Sequence, residues 1–233
     1  MPVSSSSVTS TSRRSLLASA ATLSLGGMLG AGASPLSAAE VVSKDLGASA
    51  KKIRYCLNMS TVRGQKLTLP QQVKLAADAG YQAIEPWIPE LRDFVKGGGS
   101  LPDLKKQISD AGLTVESAIG FAEWIVDDDA KRAAGLETAK QDMDLVKSIG
   151  GKRIAAPPAG ATNQADLNLF RAAERYRALL DLGQKMEVKA QLEVWGFSKC
   201  LSKLSEVMFV AVEAKHPEAI LLLMFILYQG DHG

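Results

Sequence analysis

Histidine is nearly absent: the chain has two, His216 and His232, in 233 residues. Metal-dependent hydrolases and endonucleases draw heavily on histidine ligands, so that class is disfavoured. Cysteine is as scarce. Cys56 and Cys200 show no metal-ligand spacing; they read as small buried apolar residues, with a single disulfide left open. A formal net charge of +2 is too small to mark a nucleic-acid or anionic-membrane surface, so no nucleic-acid partner is expected. What is there is ordinary for a globular protein: 46% hydrophobic and 22% charged residues. The length fits one α/β domain plus a leader.

The leader is read at residues 1–39. A Ser-rich start leads to Arg13 and Arg14, then a weakly apolar stretch from Leu16, then Ser37-Ala38-Ala39 before Glu40. This pattern predicts a signal peptide cleaved after Ala39. The Arg13-Arg14 pair predicts the twin-arginine type, hence an exported, periplasmic or extracellular protein. The stretch is rich in Gly, Ala and Ser, so no stable membrane anchor is expected. Residues 40–52 read as a flexible lead-in, and residues 53–233 as the folded unit.

From Ile53 a rhythm begins. Strand-like runs start near 53, 81, 113, 152, 188 and 219, at steps of about 28 to 39 residues. Helical segments lie between them at 68–80, 100–112, 130–150, 165–186 and 201–217. Thr68 and Ser100 stand at helix starts, with Pro70 and Pro102 in the first turns. "VDDD" (126–129) is placed to cap the helix over 130–150. Such a β/α repeat builds a parallel sheet. The first strand runs into "NMSTVRGQK", which lacks the glycine-rich phosphate loop of an open doubly wound sheet. Polar and aromatic residues sit instead at strand C-terminal ends: Asn58, Glu85, Trp87, Glu193 and Trp195. That is where a TIM (β/α)8-type barrel keeps its site. The expected fold is therefore an incomplete barrel of about six β/α units.

Glu193, in "KAQLEVWGF", is the odd residue in a run that otherwise reads as buried strand. A buried carboxylate needs a partner, a metal or a chemical role. Glu85 in "IEPW" echoes Glu193 in "LEVW": carboxylate, one residue, tryptophan. Residues i and i+2 share a strand face. Glu85 with Trp87, and Glu193 with Trp195, are thus expected to face the barrel mouth. A carboxylate there can bind metal or move a proton, and a tryptophan can pack on the C–H face of a sugar. The alternative pairs each glutamate with a rim Lys or Arg and puts each tryptophan in the core. Trp124, beside Glu123 in "GFAEWIVDDD", is expected to line the rim. His216, before Pro217, is expected to be exposed.

"YQAIEPW", "GFAEWIVDDDAKRAAGLETAKQDMDLVKSIGGKRIAAPPAG" and "QLEVWGFSKCLSKLSEVMFVAVEAKHPEAILLL" resemble the sugar phosphate isomerase/epimerase group of xylose isomerase-like barrels. The similarity runs from about Ile53 to Leu223 and is closest to secreted bacterial members with twin-arginine leaders. It implies a metal-dependent isomerase or epimerase acting on a small sugar or sugar phosphate. It also implies a divalent metal, manganese or magnesium, held at the barrel mouth, and two glutamates that relay a proton between neighbouring sugar carbons. Glu193 matches the strand-five glutamate, which makes it both metal ligand and catalytic acid/base. Glu85, Trp87, Trp124 and Trp195 are then the candidate substrate-binding residues. The chain departs from the family at strand six. Met224 stands where the family has an aspartate, and Ile226 or Leu227 where it has a histidine. Strands seven and eight have no counterpart, so weak or no metal binding and an inactive, truncated chain are expected. A carbohydrate-binding relic without catalysis is the alternative. Open edges at strands one and six are expected to favour self-association.

Overall fold

The computed structural model describes residues 53–223. Several expectations lie outside these residues: the leader with Arg13, Arg14 and Ala39, the lead-in 40–52, positions 224, 226 and 227, and His232. Six strands follow one another: β1 (Cys56–Asn58), β2 (Ala83–Glu85), β3 (Thr114–Val115), β4 (Arg153–Ala156), β5 (Lys189–Glu193) and β6 (Ile220–Leu222). Six helices lie between them: α1 (Leu69–Asp78), α2 (Ile88–Lys96), α3 (Leu101–Asp110), α4 (Asp129–Ser148), α5 (Leu169–Met186) and α6 (Leu204–Glu213). A 3-10 turn over Met59–Gln65 follows β1.

Three helix starts are those the sequence marks, whereas the helices read from 165 and 201 open later, at Leu169 and Leu204. The Thr68 N–H donates to Gln71 Oε1 at 2.9 Å. The Ser100 hydroxyl accepts from the Asp103 N–H, and Asp128 from the Lys131 N–H at 2.9 Å. Helix α2 was not foreseen. It opens directly after Trp87, with Pro89 in its first turn and Glu90 behind it. Its signal, a proline followed by an acidic residue ahead of spaced apolar residues, is the same that marks α3.

Neighbouring strands pair in parallel, β1–β2–β3 and β4–β5–β6. Ile119 joins the two groups. It bridges to Trp87 on one side and Ala155 on the other, with Ile119 N–H to Pro86 O and Ile88 N–H to Ile119 O both at 2.9 Å. The six strands thus form one continuous wall in chain order, an α/β barrel-type wall of six parallel units among the described residues.

Strand alternation splits the wall into two faces. Leu57, Ile84, Val115, Ile154 and Leu192 are buried towards the helices, with Leu104, Ile108, Met143, Val146 and Leu180 in the same core. Complete burial of one such side chain, Leu192 for instance, is worth about 1.5–3 kcal/mol. Tyr176 of α5 lies under β5 and β6. Its hydroxyl sits 2.9 Å from both the Ala190 and Ile220 carbonyls. The alternate positions carry Asn58, Glu85, Gln191 and Glu193, which places all four on the barrel's inner face.

The segment between Ile119 and α4 has no regular structure but is heavily tied down. Trp124 Nε1 donates to Pro157 O at 2.8 Å. Arg175 of α5 donates to Ile125 O (2.6 Å) and pairs with Asp127 (2.7 Å). Arg132 holds Val126 O at 2.7 Å.

Candidate functional site

Asn58 and Glu85 end β1 and β2 and are register partners. Asn58 Nδ2 donates to Glu85 Oε2 at 2.7 Å, and Trp87 Nε1 donates to Asn58 Oδ1 at 3.0 Å. Burial raises the Glu85 pKa, opposed by the Asn58 amide and the nearby Ser117 hydroxyl. One strand end therefore presents a carboxylate, an amide and an indole as one bonded unit.

Glu193 ends β5 with 1% of its surface exposed. Neither carboxylate oxygen has a hydrogen-bond partner. The Trp195 indole lies close enough to favour the anion, yet its N–H also lacks a partner within hydrogen-bond geometry. Burial pushes the Glu193 pKa up to about 7, the Trp195 indole opposes this, and the negative charge of Glu85 adds to it. The two carboxylates thus sense each other from the same end of the wall. Gln191, one inward position earlier, also buries an unpartnered Oε1. Pairing of Glu193 with a rim Lys or Arg does not occur among the described residues.

The opposite end of the wall handles charge differently. Arg54, just before β1, meets Glu116 at 2.9 Å, and Arg153, opening β4, meets the other Glu116 oxygen at 3.0 Å. Lys189, opening β5, meets Glu218 at 3.2 Å. Burial of Glu116 is outweighed by Thr114, Arg153 and Arg54, which hold its pKa below the usual range.

The aromatic residues of the mouth form a row. Trp87 and Phe121 have ring centroids 5.2 Å apart, Phe121 and Trp195 6.1 Å, and Trp195 and Phe197 4.8 Å. Trp124 does not belong to it, which corrects the expectation of a rim residue. It is 1% exposed, spends its indole N–H on Pro157 O and packs on Tyr176 at 5.8 Å. A tryptophan whose N–H finds a carbonyl is stable in a core, and the sequence did not show that carbonyl. His216 is also corrected: its side chain is 8% exposed, and its Nδ1 accepts from the Glu218 N–H at 3.1 Å. Phe121 and Phe197 were not singled out from the sequence, although Phe121 closes the strand run expected over 113–121 and Phe197 follows the one expected over 188–196. Asn58 was noted only for its place at a strand end.

A Mn²⁺ or Mg²⁺ ion takes several oxygen or nitrogen ligands. Glu193 offers two free acceptor oxygens, but among the described residues no three His, Cys, Asp or Glu side chains converge. The described residues therefore do not by themselves make the metal site the family resemblance implies.

Residues 73–223 match the family described as xylose isomerase-like TIM barrel. No curated protein matches the sequence. Solved structures do match, at identities that establish shared fold alone. The IolI protein, solved with a bound zinc atom, gives a TM-score of 0.65 at 18% identity over 72% of this chain and 62% of its own. The probable 3-DHS dehydratase AsbF of Bacillus anthracis gives 0.64 at 18% over 73% of this chain and 62% of its own. A D-psicose 3-epimerase, solved in the presence of D-fructose, gives 0.59 at 14% over 73% of this chain and 63% of its own. The chain thus spans less than two thirds of these proteins, and 26% of a matching fusion of such a barrel with 4-hydroxyphenylpyruvate dioxygenase.

Proposed function

The chain belongs to the xylose isomerase-like TIM barrel family, and on that premise we propose that it is a protein of the sugar isomerase/epimerase type. Its described residues supply a sugar-binding wall and one acid/base. The observation that carries this is Glu193: a buried carboxylate with no partner, at a strand end, beside a row of aromatic rings. In this reading the sugar's C–H face packs on Trp87 and Trp195, and Glu85 accepts a hydroxyl. Glu193 takes the proton from the carbon beside the carbonyl. The C–H electron pair becomes a C=C bond as the carbonyl π pair moves onto its oxygen, giving an enediolate, and the same carboxyl returns a proton, exchanged with solvent, to that carbon while the oxygen pair re-forms the carbonyl. Metal participation, and with it a complete site, needs ligands beyond those described. Export by the twin-arginine route and self-association along β1 and β6 complete the reading. Replacing Arg13 and Arg14 by Lys tests the first, and sedimentation of the mature chain the second.

The test is exchange. D-fructose incubated with the protein in D₂O should quench tryptophan fluorescence and slowly gain deuterium beside its carbonyl, by mass spectrometry. Glu193→Gln should bind but not exchange. Exchange that survives Glu193→Gln would sink the assignment. Binding without any exchange would favour the second reading, a carbohydrate-binding barrel without catalysis, for which the aromatic row at the mouth speaks.

A further inference from the structure

Asn58 makes three hydrogen bonds with one side chain. Its Oδ1 accepts from Trp87 Nε1 and from the Ser60 N–H, both at 3.0 Å, and its Nδ2 donates to Glu85 Oε2 at 2.7 Å. This fixes the amide's orientation. Reversed, it would set an NH₂ group against two N–H donors and an oxygen against a carboxylate. The two lone pairs of Oδ1 are then both used, and one of two Nδ2 hydrogens. What remains is one N–H on Asn58 and spare acceptor capacity on the Glu85 carboxylate, which besides the Asn58 amide has only the nearby Ser117 hydroxyl as a donor among the described residues. Both residues keep part of their surface open, unlike Glu193. A donor and an acceptor thus stand side by side on adjacent strands, next to an indole whose N–H is already spent.

Two neighbouring hydroxyls of a sugar match this pair. One donates to the carboxylate and the other accepts from the amide, while the ring's C–H face lies on Trp87. Resting on the sugar-site reading above, we propose that Asn58 and Glu85 act together as a donor–acceptor clamp for a vicinal diol, with Asn58 also holding Trp87 in place. The clamp selects sugars with two adjacent free hydroxyls at the bound position and rejects analogues missing one. Asn58 thereby joins the site as a residue that both contacts substrate and positions its neighbour.

The minimal probe is cis-1,2-cyclohexanediol against cyclohexanol, titrated into the protein and followed by NMR. The native protein should prefer the diol about tenfold, the loss expected when one charge-assisted hydrogen bond goes unmade. Glu85→Gln keeps the bond to Asn58 but turns the spare acceptor into a donor. It should abolish the preference and leave the Trp87 indole N–H resonance in place. Asn58→Leu should abolish the preference and move that resonance. If Glu85→Gln keeps the diol preference, or the native protein has none, the clamp is overturned. Should Asn58→Leu fail to fold by circular dichroism, Glu85→Gln alone decides. D-fructose binding, read in parallel by tryptophan fluorescence, keeps the two ideas apart. Equal binding by the native protein and Glu85→Gln defeats the clamp and spares the sugar site, whereas no binding by any of them defeats the sugar site.

Discussion

At the start of β5, Lys189 reaches Glu218 at 3.2 Å; at its end, Glu193 reaches no partner and is more deeply buried. The same contrast holds across the wall. Arg54 and Arg153 share the Glu116 carboxylate where β1 and β4 begin. Where β2 and β5 end, two carboxylates face each other's charge, and only Glu85 has a hydrogen-bond donor. An end whose carboxylates are held by cations serves stability. An end that leaves a buried carboxylate unmatched costs stability, and such a cost is expected where chemistry or binding is located.

The largest expected effect tests where the mouth stops. Trp124→Ala should cost about 3–5 kcal/mol, as removal of a large core side chain does. Trp195→Ala should cost far less and instead remove most of the fluorescence response to sugar. Urea denaturation measures both. If the two variants lose similar stability, the division between core tryptophan and mouth tryptophan fails.

Next comes the unmatched carboxylate itself. The Glu193 pKa is raised from 4.5 to about 7 in the folded protein. The folded state therefore holds this proton more tightly than the unfolded chain. Its stabilising contribution is full below about pH 4.5 and is lost as pH rises through about 7. The difference is about 3 kcal/mol. Glu193→Gln should thus stabilise the protein by up to that amount at pH 8 and hardly at all at pH 4. Urea midpoints that differ equally at both pH values would mean that Glu193 has a partner in solution.

A smaller effect is expected at Tyr176. Tyr176→Phe leaves the Ala190 and Ile220 carbonyls without the hydroxyl and should cost about 1–3 kcal/mol. Hydrogen exchange should then quicken at β6 before β2, because β6 depends on this contact and on β5 alone among the described strands.

The smallest is at the matched end. Glu116→Gln should cost no more than about 1 kcal/mol at pH 7, since its partners are half exposed and screened. The folded pKa of Glu116 is lowered, so this contribution is present above the ordinary carboxylate range and is lost as pH falls through the folded value. Salt should reduce it further. A large, salt-independent loss would show that this end is more than a surface network.

Periodicity made the wall legible: all six strands lie within the runs read from the sequence, and Thr68, Ser100 and Asp128 start the helices they were expected to start. Strand lengths were overestimated. The run over 113–121 yields only Thr114–Val115 plus a single bridge at Ile119, because an apolar run does not reveal where a partner strand ends. Glu85 and Glu193 were legible because a carboxylate inside an apolar run breaks a pattern. The triple role of Asn58 was not, since which donors meet an amide is decided by neighbouring strands. Trp124 misled for the same reason: its partner, Pro157, lies 33 residues away.

The segment between Ile119 and α4 is long and lacks regular structure, the sort of loop that elsewhere opens and closes over a barrel. Here its backbone carbonyls at Ile125 and Val126 are held by Arg175 and Arg132, and Trp124 anchors it to Pro157. A loop nailed at so many points does not gate. Sugar association at Phe121 and Trp195 should therefore be a one-step process whose observed rate rises linearly with sugar concentration, without the plateau that a slow opening step imposes.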